Sequence, residues 1–154
     1  MVVTLNKKAI YIAGPLFSIA EKQFLIKFVD EIATKLNLDP INHFFLPHRD
    51  AGDLGIINGR EDIFKSDLDH LNKAEIVIAV LEGADVDSGT AVEIGYAFAK
   101  NKKIFGFLTD IRAYGNSREI QKLNNMVWGI CNEGKSIFHN IDDLCNNIKS
   151  EINL

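Results

Sequence analysis

Short unbroken apolar runs alternate along this chain with longer stretches in which apolar residues recur every three or four positions. Residues 9–13 form the first run and end at Gly14-Pro15, which reads as a buried parallel strand followed by a turn. Ser18 is placed to cap the next element, a helix over residues 19–36. Its buried face is predicted to carry Phe24, Leu25, Phe28, Val29, Ile32 and Leu36, with Asn37 ending it. A second strand over residues 44–46 stops at Pro47, and residues 48–59, rich in Gly, Asp and Asn, read as a long loop. Asn58 can cap a helix to about residue 72, with Ile63, Phe64, Leu68 and Leu71 inward. Residues 75–81 are the clearest buried strand. After a loop at 82–89 come a helix at 90–101, a strand at 103–108, a polar region at 109–118 and a short helix near 119–126. A weak strand at 136–138 and a helix at 141–148 close the chain.

Strand and helix thus alternate about five times, which predicts one α/β domain over residues 1–154. The expected architecture is a flavodoxin-like, doubly wound sheet of about five parallel strands with helices on both faces. Such sheets bind ligands beyond the carboxyl ends of their strands, where strand order reverses. The chemistry should therefore follow the first three strands.

Composition narrows the class of function. Of 154 residues 47% are apolar and 25% charged, the balance of an ordinary globular protein. The formal charge of -4, with no basic run, argues against nucleic-acid polymers as partners. Cys131 and Cys145 belong to no C-x-x-C motif and have apolar neighbours, so buried free thiols in a reducing cytoplasm are expected. No window has the length of a signal peptide core or of a bilayer span, and neither export nor membrane insertion is expected.

Three segments at strand ends stand out: residues 11–17, 47–50 and 82–93. Gly14-Pro15 by itself indicates only a tight turn. The third segment is more informative, because Asp87 or Ser88 can cap a helix while Gly89 lets a ligand or backbone approach closely. Glu93 then falls about one turn into that helix among Ala91, Val92, Ile94, Ala97 and Phe98. It is either a carboxylate favoured by the helix dipole, or a nucleophile that the same dipole keeps ionised. Retaining glycosyl transfer needs such a carboxylate and a second acid for the leaving group. Asp67, Asp69, Asp85 and Asp87 are the candidates, each equally readable as a cap or solvated charge; Asp67 differs in bordering the inner face of its helix. Tyr11, Phe17, Tyr96 and Trp128 could wall a base or sugar, or simply belong to the core.

Four blocks resemble the nucleoside 2-deoxyribosyltransferase family. They are IYIAGPLF at 10–17; IFKSDLD at 63–69 with AEIVIAV at 74–80; GADVDSGTAVEIGYA at 83–97; and LNNMVWG at 123–129. The resemblance implies a double displacement in nucleoside salvage without cofactor or metal. The glutamate matching Glu93 attacks the anomeric carbon of a deoxynucleoside, the base leaves, and a second base takes the deoxyribosyl group. It further implies that Tyr11 orients Glu93, that Asp67 and Asp87 bind the base edge and assist its protonation, and that Gly14, Phe17, His48 and Gly89 meet the substrate. Asn124 matches an asparagine lent to the neighbouring subunit's site, which implies a homo-oligomer. His48 stands where many members carry glutamine, so the family's base preference does not carry over at that position. A weaker resemblance to deoxynucleoside 5'-monophosphate N-glycosidases implies hydrolysis as the alternative, with Ser18, Lys22 and Arg49 as phosphate contacts. A binding module that has lost its chemistry is a third reading.

Overall fold

A computed structural model of the chain describes residues 6–51, 59–113 and 123–152. Its elements follow the predicted alternation. β1 (Ile10–Ala13), α1 (Ile19–Leu36) and β2 (Phe44–Phe45) come first, followed by a single turn of helix, α2 (Pro47–Asp50). Then come α3 (Arg60–Lys73), β3 (Ile76–Val80), α4 (Ser88–Ala99) and β4 (Lys103–Phe107). The chain closes with α5 (Asn125–Ile130), β5 (Ile137–Phe138) and α6 (Ile141–Ile152). The strands form one parallel sheet in the order β2-β1-β3-β4-β5. That is the flavodoxin-like order, and its reversal point lies between β1 and β3.

Because successive strand residues point to opposite faces, the sheet sorts its side chains into two layers. Ile10, Ile12, Ile76, Ile78, Val80, Phe105 and Phe107 pack with Leu25, Phe28, Val29 and Ile32 of α1 and Leu144 and Ile148 of α6. Tyr11, Ala13, Phe45, Val77 and Ala79 face the other way, with Leu71 of α3, Ile94 and Ala97 of α4, and Val127 of α5. α1 begins with a full capping box. Glu21 N–H donates to Ser18 Oγ, while the Glu21 carboxylate accepts from Ser18 N–H. It ends at Asn37 in the left-handed conformation.

Three expectations are corrected. Residues 48–50, expected in a loop, belong to the helical turn α2, because Pro47 supplies a fitting first helical position and Asp50 accepts from Leu46 N–H at 2.9 Å. Gly59, not Asn58, precedes α3; Asn58 lies outside the described residues. The short helix expected near 119–126 is found at Asn125–Ile130, since the Asn124 side chain accepts from Met126 N–H at 2.9 Å and so starts the helix rather than lying inside it. Residues 119–122 lie outside the described residues. Phe24 sits at the margin of the α1 face, stacked on Phe28 with ring centroids 5.4 Å apart. Cys131 and Cys145 are buried and free, and burial pushes their thiols up to about 12 and about 11. Among the described residues, no helix is long and apolar enough to cross a membrane.

Candidate active site

α3 leads into β3 and α4 leads out of it, so both cross the same sheet face in the same direction and leave a groove between them. The groove is a cavity of about 540 Å³. α3 lines it with Phe64, Asp67, Leu68 and Leu71, the three- and four-residue spacing of one helical stripe. α4 lines it with Ser88, Gly89, Val92, Glu93 and Tyr96, and β1 supplies Tyr11 from the sheet.

The reactive centre joins residues 82 positions apart: the Tyr11 hydroxyl donates to Glu93 Oε1 at 2.6 Å. Burial pushes the Glu93 carboxyl up to about 8. The Tyr11 hydrogen bond opposes that rise, and the charges of Asp67 and Asp87 add to it. Burial pushes Asp67 up to about 6, and its Oδ1 is enclosed without a hydrogen-bond partner among the described residues. Tyr11, wholly buried beside Glu93, is held firmly in its protonated form. The helix dipole does not keep Glu93 ionised as expected. Glu93 is the sixth residue of α4, beyond the first turn where that field acts, and burial outweighs it.

Such an enclosure can present a carboxylate oxygen, an adjacent carboxylic acid and apolar walls to one flat ligand. Among the described residues, no group of three or more His, Cys, Asp or Glu is placed to hold a metal ion.

The other residues singled out from the sequence fall in different places. Gly89 lines the cavity, and a Cβ there would lie 3.1 Å from Asp87 Oδ2. Asp87 is the cap of α4, its Oδ2 accepting from Thr90 N–H at 2.9 Å. It bears on the cavity through charge rather than by lining it. Gly14 permits close packing of the strand end: a Cβ would lie 3.0 Å from Val80 Cβ and 3.2 Å from Leu25 Cδ2. Phe17 is exposed, His48 is half-buried in α2 and Asn124 is exposed at the start of α5; none of the three lines this cavity.

Asp69 is exposed and paired with Lys73, and Asp85 is exposed with an oxygen bonded to Val86 N–H. Trp128 lies against Gly134, away from the cavity. The candidate phosphate contacts are largely committed elsewhere. Arg49 donates to the carbonyls of Pro40 and Phe44 and to Asp50, and Ser18 caps α1. Lys22 lies in α1 and does not line the cavity.

Sequence reasoning missed Phe64, Leu68, Ser88 and Val92 as cavity walls. Phe64 and Leu68 had been read as core, because a stripe with helical spacing looks the same whether it meets a neighbouring helix or a ligand space.

Comparison with known proteins agrees with this geometry. The family model for nucleoside 2-deoxyribosyltransferase matches residues 10–141. An uncharacterized protein of Ureaplasma parvum serovar 3 is 31% identical over 163 residues, covering 96% of this chain and 98% of that one. A conserved protein from Enterococcus faecalis V583 superposes with a TM-score of 0.76 at 27% identity, over 96% of this chain and 99% of that one. The 2-desoxiribosyltransferase from Leishmania mexicana shares the fold, with a TM-score of 0.66 at 24% identity, over 96% of this chain and 99% of that one. A match spanning β1 through the start of α6, and with it the strand order and the whole cavity, shows that this chain belongs to the nucleoside 2-deoxyribosyltransferase family.

Proposed function

We propose that the protein transfers a 2-deoxyribosyl group between nucleobases, in nucleoside salvage, through a covalent intermediate on Glu93. One observation carries this reading: Tyr11 donates to Glu93 beside Asp67, at the floor of an apolar cavity. Between about pH 6 and 8 the buried pair of Glu93 and Asp67 holds one proton, and in the reactive form that proton sits on Asp67. Ionised Glu93 attacks the anomeric carbon as the bond to the departing base breaks, and Asp67 gives the proton to the base. A second base then attacks the same carbon, the ester to Glu93 breaks, and the carboxylate returns. Tyr11 aims the attacking carboxylate and lowers its proton affinity. Asp87 assists through its charge, and Gly89 leaves room for the ligand. The reaction needs no cofactor.

We further assign Phe17 and His48 to substrate recognition from outside the cavity lining, and Asn124 to the site of a neighbouring subunit in a homo-oligomer. Two features support the oligomer: Asn124 is exposed, and Phe64, Val92, Met126 and Trp128 all leave apolar surface open. An unphosphorylated substrate is favoured, because the cavity lining carries carboxylates and no cation among the described residues, while Arg49 is held by the carbonyls of Pro40 and Phe44.

The test is incubation with deoxyinosine, with and without adenine or cytosine. A new deoxynucleoside that requires the added base is the expected product. Free hypoxanthine formed at the same rate whether or not acceptor is present would replace transfer by hydrolysis.

A further inference from the structure

Behind Tyr11 lies an aromatic column that neither the family match nor the sequence reading assigns. Tyr11 and Phe45 are register partners on β1 and β2, so their side chains stand next to each other on one sheet face, with ring centroids 5.3 Å apart. His70 of α3 lies flat on Phe45, centroids 3.9 Å apart and planes 10° from parallel. Its orientation is fixed by Nδ1, which donates to the Ser66 carbonyl at 2.8 Å. The column runs His70, Phe45, Tyr11 and ends at Glu93 Oε1. It starts on the same helix as Asp67, one turn further along.

We propose that His70 is a positioning residue: its ring, clamped by Ser66, holds Phe45 against Tyr11 and so keeps the Tyr11 hydroxyl on Glu93. The proposal rests on Glu93 being the nucleophile for its effect on turnover, but not for its effect on geometry. Offset aromatic contact fixes both distance and tilt, whereas an aliphatic side chain of similar volume fixes neither. Displacing a reacting group by about 1 Å can cost on the order of a hundredfold in rate. His70 touches no reacting atom, so its removal should act on kcat and leave KM nearly unchanged.

Two readouts test this. The first is the titration of Glu93, followed by carbon-13 NMR of glutamate-labelled protein and assigned with Glu93→Gln. The charged groups facing Glu93 are Asp67 and Asp87, with Tyr11 the hydrogen-bond donor; none is altered in the His70 variants. Tyr11→Phe removes the donor and should move the titration upward. His70→Ala should move it most of the way to that limit, His70→Leu part of the way, and His70→Phe hardly at all.

The second readout is transfer, with kcat falling about tenfold in His70→Ala at a KM within about twofold, and recovering in His70→Phe. The proposal is overturned if Tyr11→Phe shifts the titration while His70→Ala and His70→Leu leave it in place, if Tyr11→Phe itself shifts nothing, or if His70→Phe behaves like alanine. Should the wild-type protein prove inactive while the NMR series behaves as expected, the column stands and the transferase reading falls.

Discussion

The two faces of the sheet are made by the same strands and have opposite characters. On the α1 and α6 side, Ile10, Ile12, Ile76, Ile78 and Val80 meet Phe28, Phe105, Phe107, Leu144 and Ile148 in a continuous apolar layer. On the α3 and α4 side, the alternate positions of β1 and β3 are smaller or polar, Tyr11, Ala13, Val77 and Ala79, and the helices over them leave about 540 Å³ open. The first face gains stability from close packing. The second encloses two carboxyls whose burial costs free energy when they are charged, a cost that the proposed chemistry puts to use. One sheet thus separates a face that holds the fold from the face that carries the proposed site, by a shift of a single residue along each strand.

That division is open to tests, beginning with the largest effect. Glu93→Gln should lower turnover by on the order of 10⁴-fold or more, as loss of a nucleophile does. It should also make the protein more stable. A carboxyl whose folded value is raised to about 8 supports the fold at pH values below its unfolded value near 4.5, and loses that support as pH rises through 8. The glutamine variant should therefore melt higher than wild type at pH 9, by about 2 kcal/mol, and show little difference at pH 4. Equal melting at both values would mean that Glu93 is not strained.

Phe28→Ala breaks the opposite face. Its ring lies 4.8 Å from that of Phe107 and is 2% exposed, so its loss should cost about 3–5 kcal/mol of stability in denaturant melts. Activity per folded molecule should stay within about twofold, because no atom of the cavity is touched. A loss of activity beyond that, at full folding, would show that the faces are not separate.

Asp67→Asn sharpens the contrast through pH. With Asp67 near 6 and Glu93 near 8, kcat/KM of the wild type should be bell-shaped between those limits, the two limbs belonging to the pair rather than to either residue. Turnover of the asparagine variant should fall by about 10²-fold or more with the loss of its proton donor. The falling limb should vanish, leaving a single rise set by Glu93 alone and centred below about 8, since the neighbouring charge that helps raise Glu93 is gone. Ser18→Ala is the smallest perturbation. It removes the α1 cap and should cost about 1 kcal/mol without altering the pH profile.

Much of the architecture was legible in the sequence, because strand and helix periodicities are local. The runs at Ile10–Ala13 and Ile76–Val80 announced buried parallel strands, and Ser18 and Asn37 bounded α1 at both ends. Glu93, Tyr11 and Asp67 stood out through their blocks, but residues 82 positions apart can be joined only by the fold. Arg49 looks available for a phosphate in the sequence, but the fold brings the carbonyls of Pro40 and Phe44 against its guanidinium. Phe64 looked like core until the groove beside it appeared.

The sequence by itself determined the element order, the alternation that assigns each strand residue to a face, and the family. The tertiary structure decided which carboxyls are buried together, that a tyrosine rather than a helix dipole steadies Glu93, and that His70 stands behind that tyrosine. The reason is physical. Periodicity and capping depend on neighbours within a turn or a strand, whereas proton affinity and alignment depend on what distant segments exclude from, or press against, the same few ångströms of space.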